Sequence, residues 1–281
     1  MKISLFLLSF FVVCSVLAYG QMAIPTPISR ELTPVRGHYK ALASISPKPG
    51  YINKGLDSVK FPFDKAMAEE VLSLKPHYLR AVSLDDLRVP APPANSSEQT
   101  RAELDYLLAL QHNRSAEDVR SSLYMSNVHE SPGDVGQTIG YWVGLQQLPM
   151  TDTLFANVSR DADFFLWSIK FRYCRPRPYM LDARIHDLEE SRAASYPGGH
   201  VTYAYIYAYI YQELAPQFTD LFIQKAYAMA HARELIGVHY PSDSEGSRVL
   251  ARTLVNLLFQ NEQFLRDFEK ARQEWVSKKY R

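Results

Sequence analysis

Between Lys170 and Asp243 the chain gathers three cations, two histidines and a carboxylate into separated clusters: Lys170 with Arg177-Pro178, then Pro197-Gly198-Gly199-His200, then Arg233, His239 and Asp243. Arginine offers a planar fork and lysine a compact point charge, a combination that suits an oxyanion. Two glycines ahead of a helix let the backbone approach a ligand closely, and a helix start presents N–H groups and a positive dipole end to it. His239 stands four residues before Asp243, so the carboxylate can take the Nδ1 proton and fix the ring's tautomer. Taken singly, each member has an ordinary explanation. A Gly-Gly turn can simply open a helix beside a surface histidine, arginine is often a surface fork, and Asp243 suits a helix N-cap. Their joint order is the specific signal.

Lys170 and Arg177 are seven residues apart, which places them on one helix face before Pro176 and Pro178 stop the helix. Arg172 and Arg175 then point elsewhere, toward solvent or salt bridges. The linkers between the clusters have helix-forming length, so the expected pocket is assembled from several helix ends.

Apolar spacing and stop signals predict helices over Pro62 to Leu74, from the capping box at Ser96-Ser97-Glu98-Gln99 onward, and from Ser115 to about Ser126. Further helices are expected over Val135 to Leu148, Thr151 to Tyr173, Thr219 to Val238, and Ser242 to about Val276 with a break. Val201 to Leu214 is a conflict, because Tyr203, Tyr205, Tyr207, Tyr209 and Tyr211 recur at the period of a strand. The alternation is between two apolar sets, and Ala204 with Ala208 makes a small stripe, so a buried helix is the better reading. The fold class is all-α, a single-domain helical bundle over residues 61–281. Residues 21–60, rich in Pro, Gly, Ser and Lys, read as an extended N-terminal arm.

Residues 1–20 read as a secretory signal peptide: Lys2, an apolar run from Ile3 to Leu17, and Ala18-Tyr19-Gly20 as cleavage site. The protein is therefore expected to be periplasmic or secreted, with no membrane span after cleavage. Cys174 is then the sole cysteine, so no intrachain disulfide forms. The chain of 281 residues is 47% hydrophobic and carries a net charge of +1, which gives no reason to invoke nucleic acid. No zinc spacing or Asp-rich calcium loop is visible, so the expectation is no metal and no cofactor. A homo-oligomer is left open.

The clusters resemble the three-part signature of the type 2 phosphatidic acid phosphatase and vanadium haloperoxidase superfamily: K-x6-R-P, P-S-G-H and S-R-x5-H-x3-D. Here these are Lys170 to Pro178, Pro197 to His200, and Ala232-Arg233 to Asp243. Gly198 and Ala232 stand where the pattern has serines. Among the branches the chain is most similar to secreted bacterial class A non-specific acid phosphatases. The resemblance implies hydrolysis of small-molecule phosphate monoesters through a phosphohistidine intermediate. His239 would be the nucleophile, Asp243 its orienting carboxylate and His200 the acid and base. Lys170, Arg177, Arg233 and the N–H groups of Gly198 and Gly199 would bind phosphate. The other readings are a vanadate-dependent haloperoxidase, a lipid phosphatase, and a phosphate-binding module weakened at Gly198.

Overall fold

A computed structural model describes residues 54–62, 64–127 and 148–278, all within one unit of the chain, Thr33–Arg281. The expected leader, most of the N-terminal arm and nearly all of the helix expected over Val135 to Leu148 lie outside the described residues. The elements are α1 (Lys65–Ser73), α2 (Glu98–Asn113), α3 (Ala116–Asn127), α4 (Pro149–Tyr173), the single turn α5 (Pro178–Leu181), α6 (Gly199–Leu214), α7 (Thr219–Leu235), α8 (Pro241–Leu258) and α9 (Glu262–Lys278). Short 3₁₀ turns occur at Lys54–Ser58, Asp85–Leu87 and Pro216–Phe218. There is no strand among the described residues; the fold is all-α.

The axis of the bundle is α6, packed against α7, α8 and α4. This resolves the tyrosine alternation. Residues four apart share a helix face, so the period-two series is two interleaved ladders about 200° apart. Tyr205 and Tyr209 pack together, with Tyr227 of α7 edge-on to Tyr205. Tyr207 and Tyr211 meet Phe155 of α4, and Tyr211 also meets Phe222 and Trp275. A central helix needs apolar residues all round, and the strand-like spacing satisfies that. Phe165 of α4 is fully buried in the same core; its truncation to Ala would cost about 3–5 kcal/mol.

Caps differ in detail from expectation. The N-cap of α2 is Ser97, which accepts from Thr100 N. Ser96 is instead turned to Asp57, with Oγ to Oδ2 at 2.7 Å, so the described end of the arm is pinned to the bundle. The helix expected from Ser115 does open on a reciprocal capping box, Asp118 N donating to Ser115 Oγ at 3.1 Å and Ser115 N to Asp118 Oδ2 at 2.8 Å. Leu148 provides no side-chain cap for α4. Glu274 of α9 supplies it from across the bundle, accepting from Met150 N at 2.8 Å and Thr151 N at 2.9 Å. The break expected in the final segment falls at Phe259 to Asn261, between α8 and α9.

Candidate active site

Helix α4 ends at Tyr173, and Cys174 takes the left-handed conformation at φ 45°. That residue turns the chain, so Arg177 lies in extended backbone beyond the helix, as the N-cap of α5. The shared helix face expected for Lys170 and Arg177 is thus corrected. They converge through the turn at Cys174, because Pro176 and Pro178 cannot continue a helix. Lys170 is 3% exposed and donates from Nζ to Ala194 O and Pro197 O, both at 2.6 Å. These bonds hold the segment that leads into α6 and leave one ammonium N–H for a ligand. Arg177 donates from Nε to Ala193 O at 2.9 Å and from Nη1 to Val238 O at 2.7 Å and His239 Nε2 at 3.0 Å.

Gly237, at φ +78°, ends α7; an L side chain there would be strained and would crowd His186 O at 3.2 Å. The turn places His239 just ahead of α8, buried at 2% exposure. Its Nδ1 lies 3.1 Å from Asp243 Oδ2. Because arginine can only donate, Nε2 accepts and the ring proton is on Nδ1, shared with the carboxylate. Burial and the charge of Arg177 hold the imidazole pKa well below its ordinary value, against the opposing pull of Asp243. The ring is neutral with its lone pair on Nε2.

Asp243 is fully buried and accepts four hydrogen bonds. Oδ2 takes His239 Nδ1, Ser195 Oγ at 2.5 Å and Tyr240 N at 3.0 Å, while Oδ1 takes Arg175 Nη1 at 2.6 Å. Burial pushes its pKa up, but the charge of Arg175 and the His239 contact outweigh that and hold it well below the usual carboxylate range. Arg175 is therefore central and buried. Its other partners are Ser242 Oγ at 2.8 Å and Glu103 at 3.4 Å, and its guanidinium lies 3.9 Å over the Tyr240 ring.

Arg233, in the last turn of α7, donates from Nη1 to Ser126 Oγ at 2.6 Å and grips Glu189 bidentately at 2.8 and 2.6 Å. His200, second residue of α6, shares Ser126, its Nε2 lying 3.0 Å from the carbonyl. A carbonyl only accepts, so Nε2 carries a proton. Gly198 donates its N–H to Ser247 Oγ at 2.8 Å. Gly199, at the first helical position of α6, has no intrahelical acceptor for its N–H.

Lys170 lies within electrostatic reach of Arg177, Arg233 and Asp243, Arg177 within reach of Arg233 and Asp243, and the neutral His239 ring within reach of Lys170, Arg177 and Asp243. His200 joins the group through Ser126 and Glu189. Sequence spacing missed Glu103, Ser126, Arg175, Glu189, Ser195 and Ser247. Only Ser195, directly ahead of Tyr-Pro-Gly-Gly-His, carried a local signal. No group of three or more His, Cys, Asp or Glu fit to hold a metal occurs among the described residues.

Residues 153–267 match the profile of the PAP2 superfamily. The matched stretch contains every candidate site residue from Lys170 to Asp243. It is 28% identical over 149 residues to a non-specific acid phosphatase of Providencia stuartii, covering 51% of this chain and 60% of that one. It is 25% identical over 185 residues to an acid phosphatase of Zymomonas mobilis, covering 64% of this chain and 66% of the relative. The alignments thus span under two thirds of the length of these curated relatives. A transmembrane PAP2 type phosphatidylglycerolphosphate phosphatase from Bacillus subtilis aligns with TM-score 0.41 and 18% identity, over 57% of this chain and 84% of that one. No helix among the described residues is long and apolar enough to cross a membrane.

Proposed function

We propose that the protein is a secreted acid phosphatase that hydrolyses phosphate monoesters through a phosphohistidine at His239. The observation that carries this reading is the state of the His239 ring: neutral, its Nδ1 proton directed to an ionised Asp243, its Nε2 lone pair beside cations. An imidazole kept neutral by burial and by Arg177 remains a nucleophile in acid, where an ordinary histidine is protonated.

In this reading Nε2 attacks phosphorus and the bond to the alkoxide breaks. The alkoxide takes a proton from His200, which afterwards removes a proton from the water that cleaves the N–P bond and releases phosphate. His200 Nε2 donates to Ser126 O in the free protein, so either Nδ1 exchanges the proton or the ring leaves that carbonyl when substrate enters. Lys170, Arg177, Arg233 and the Gly199 N–H balance charge on the equatorial oxygens. The Gly198 N–H expected among these donors is engaged by Ser247. That engagement also supports the weakened phosphate-binding module as a second reading. The leader-like residues 1–20 support export.

Steady-state assay with p-nitrophenyl phosphate at mildly acid pH, with and without EDTA, tests the proposal. Turnover resistant to chelation is expected from wild type and none from His239→Ala; phosphate binding without turnover would favour the module.

A further inference from the structure

The Arg233 fork is already filled by a carboxylate of the chain itself. Glu189 binds it with both oxygens, at 2.8 and 2.6 Å, in the two-point arrangement by which a guanidinium holds two oxygens of a phosphate. The hydrogen bond and charge of Arg233 hold the Glu189 carboxyl below its ordinary pKa against the opposing effect of burial.

The two partners are unequal in freedom. The Arg233 side chain is 3% exposed against 33% for Glu189, and Arg233 is further tied to Ser126 Oγ at 2.6 Å. Next to Glu189, Leu188 N donates to Ile236 O at 3.0 Å, and Leu188 packs against Leu235, Ile236 and Val238. The backbone is thus anchored, and a side-chain rotation suffices to carry the carboxylate out to water while the fork stays in place. Nor does Glu189 satisfy the fork: Arg233 Nε is buried and has no partner among the described residues. A tetrahedral anion, with more acceptor oxygens, can meet a donor that the carboxylate leaves unmet.

The geometry points to Glu189 as an internal competitor for the phosphoryl site: in the free protein it holds the Arg233 fork, and a phosphate group gains that fork only by displacing it. The inference rests on the proposed function only in taking the ligand to be a phosphoryl group. Being tethered, Glu189 competes at high effective concentration. It sets the affinity for phosphate without touching the reacting atoms, and so acts as a residue that tunes binding.

Isothermal titration of inorganic phosphate into the full chain at neutral pH, as wild type, Glu189→Gln and Glu189→Ala, tests this. Loss of the competing carboxylate is expected to tighten phosphate binding roughly ten-fold in both variants, with KM for p-nitrophenyl phosphate falling more than kcat changes. A damaged scaffold would weaken binding, so the sign of the change is decisive. Unchanged or weaker phosphate binding, with wild type still binding, overturns the role of Glu189 and leaves the phosphatase reading intact. Absence of phosphate binding in all three proteins overturns both. A crystal structure of wild type with phosphate gives a check independent of any variant. Glu189 is expected to have left Arg233 with a phosphate oxygen in its place; phosphate bound beside an intact Glu189–Arg233 pair overturns the inference.

Discussion

Arg177 Nη1 lies 3.0 Å from His239 Nε2, so the atom proposed to attack phosphorus is met in the free protein by a donor that can never accept. The contact fixes the tautomer, and the cation holds the ring pKa down after burial itself. Arg177→Ala should therefore raise the His239 pKa, and kcat/KM should fall about 10²–10³-fold through loss of a phosphate-facing cation. Nitrogen NMR of labelled histidine checks the first, showing in wild type a neutral ring with Nε2 unprotonated well below the ordinary value of 6.5.

Behind His239 runs a buried chain of charges, Asp243 to Arg175 to Glu103. Arg175→Met leaves two carboxylates at 0–1% side-chain exposure without their cation and should destabilise the protein by about 3–5 kcal/mol. Arg175→Met with Glu103→Met should recover part of that loss, since one of the stranded charges is gone. Urea unfolding of the single and double variants measures both.

Gly198 and Ser247 are coupled. A Cβ on Gly198 would stand 3.3 Å from both His239 Cε1 and Ser247 Oγ, tighter than ordinary contact. Gly198→Ser alone, though it restores the serine of the P-S-G-H pattern, is expected to disturb His239 and lower kcat/KM several-fold, about 1–2 kcal/mol. Adding Ser247→Ala opens the space and should return most of the activity. A double-mutant cycle on kcat/KM reads the coupling.

Glu234 is buried, its pKa pushed up to about 8 by desolvation against a hydrogen bond from Ser244. A raised folded pKa means that the unfolded chain releases this proton first. The contribution of the group is complete below the ordinary 4.5 and is lost as pH rises toward about 8. Glu234→Gln should therefore raise Tm near pH 9 relative to wild type, by an amount worth about a few kcal/mol, and much less near pH 5. Thermal unfolding at the two pH values decides it.

The helices were legible in the sequence because α2 and α3 follow local rules of capping and α4 follows apolar spacing. The tyrosine series of α6 read correctly once its lack of a polar face was weighed above its period. What misled was geometry that local spacing cannot carry. Two helical turns seemed to align Lys170 with Arg177, whereas the positive φ at Cys174 redirects the chain between them. Arg175 reads as a solvent or salt-bridge residue; the salt bridges form, but with Glu103 and Asp243, 72 and 68 residues away, so local spacing does not place it behind His239. Glu189 and Ser126 were invisible for the same reason, each meeting Arg233 only through tertiary packing, 44 and 107 residues distant.

The central claim is that phosphorus bonds to His239. Rapid mixing with radiolabelled p-nitrophenyl phosphate, quenching in alkaline detergent, where an N–P bond survives, and peptide mapping test it directly. Label on the peptide containing His239, absent from His239→Ala, is the expected result; undiminished hydrolysis by His239→Ala, or label on another residue, contradicts it.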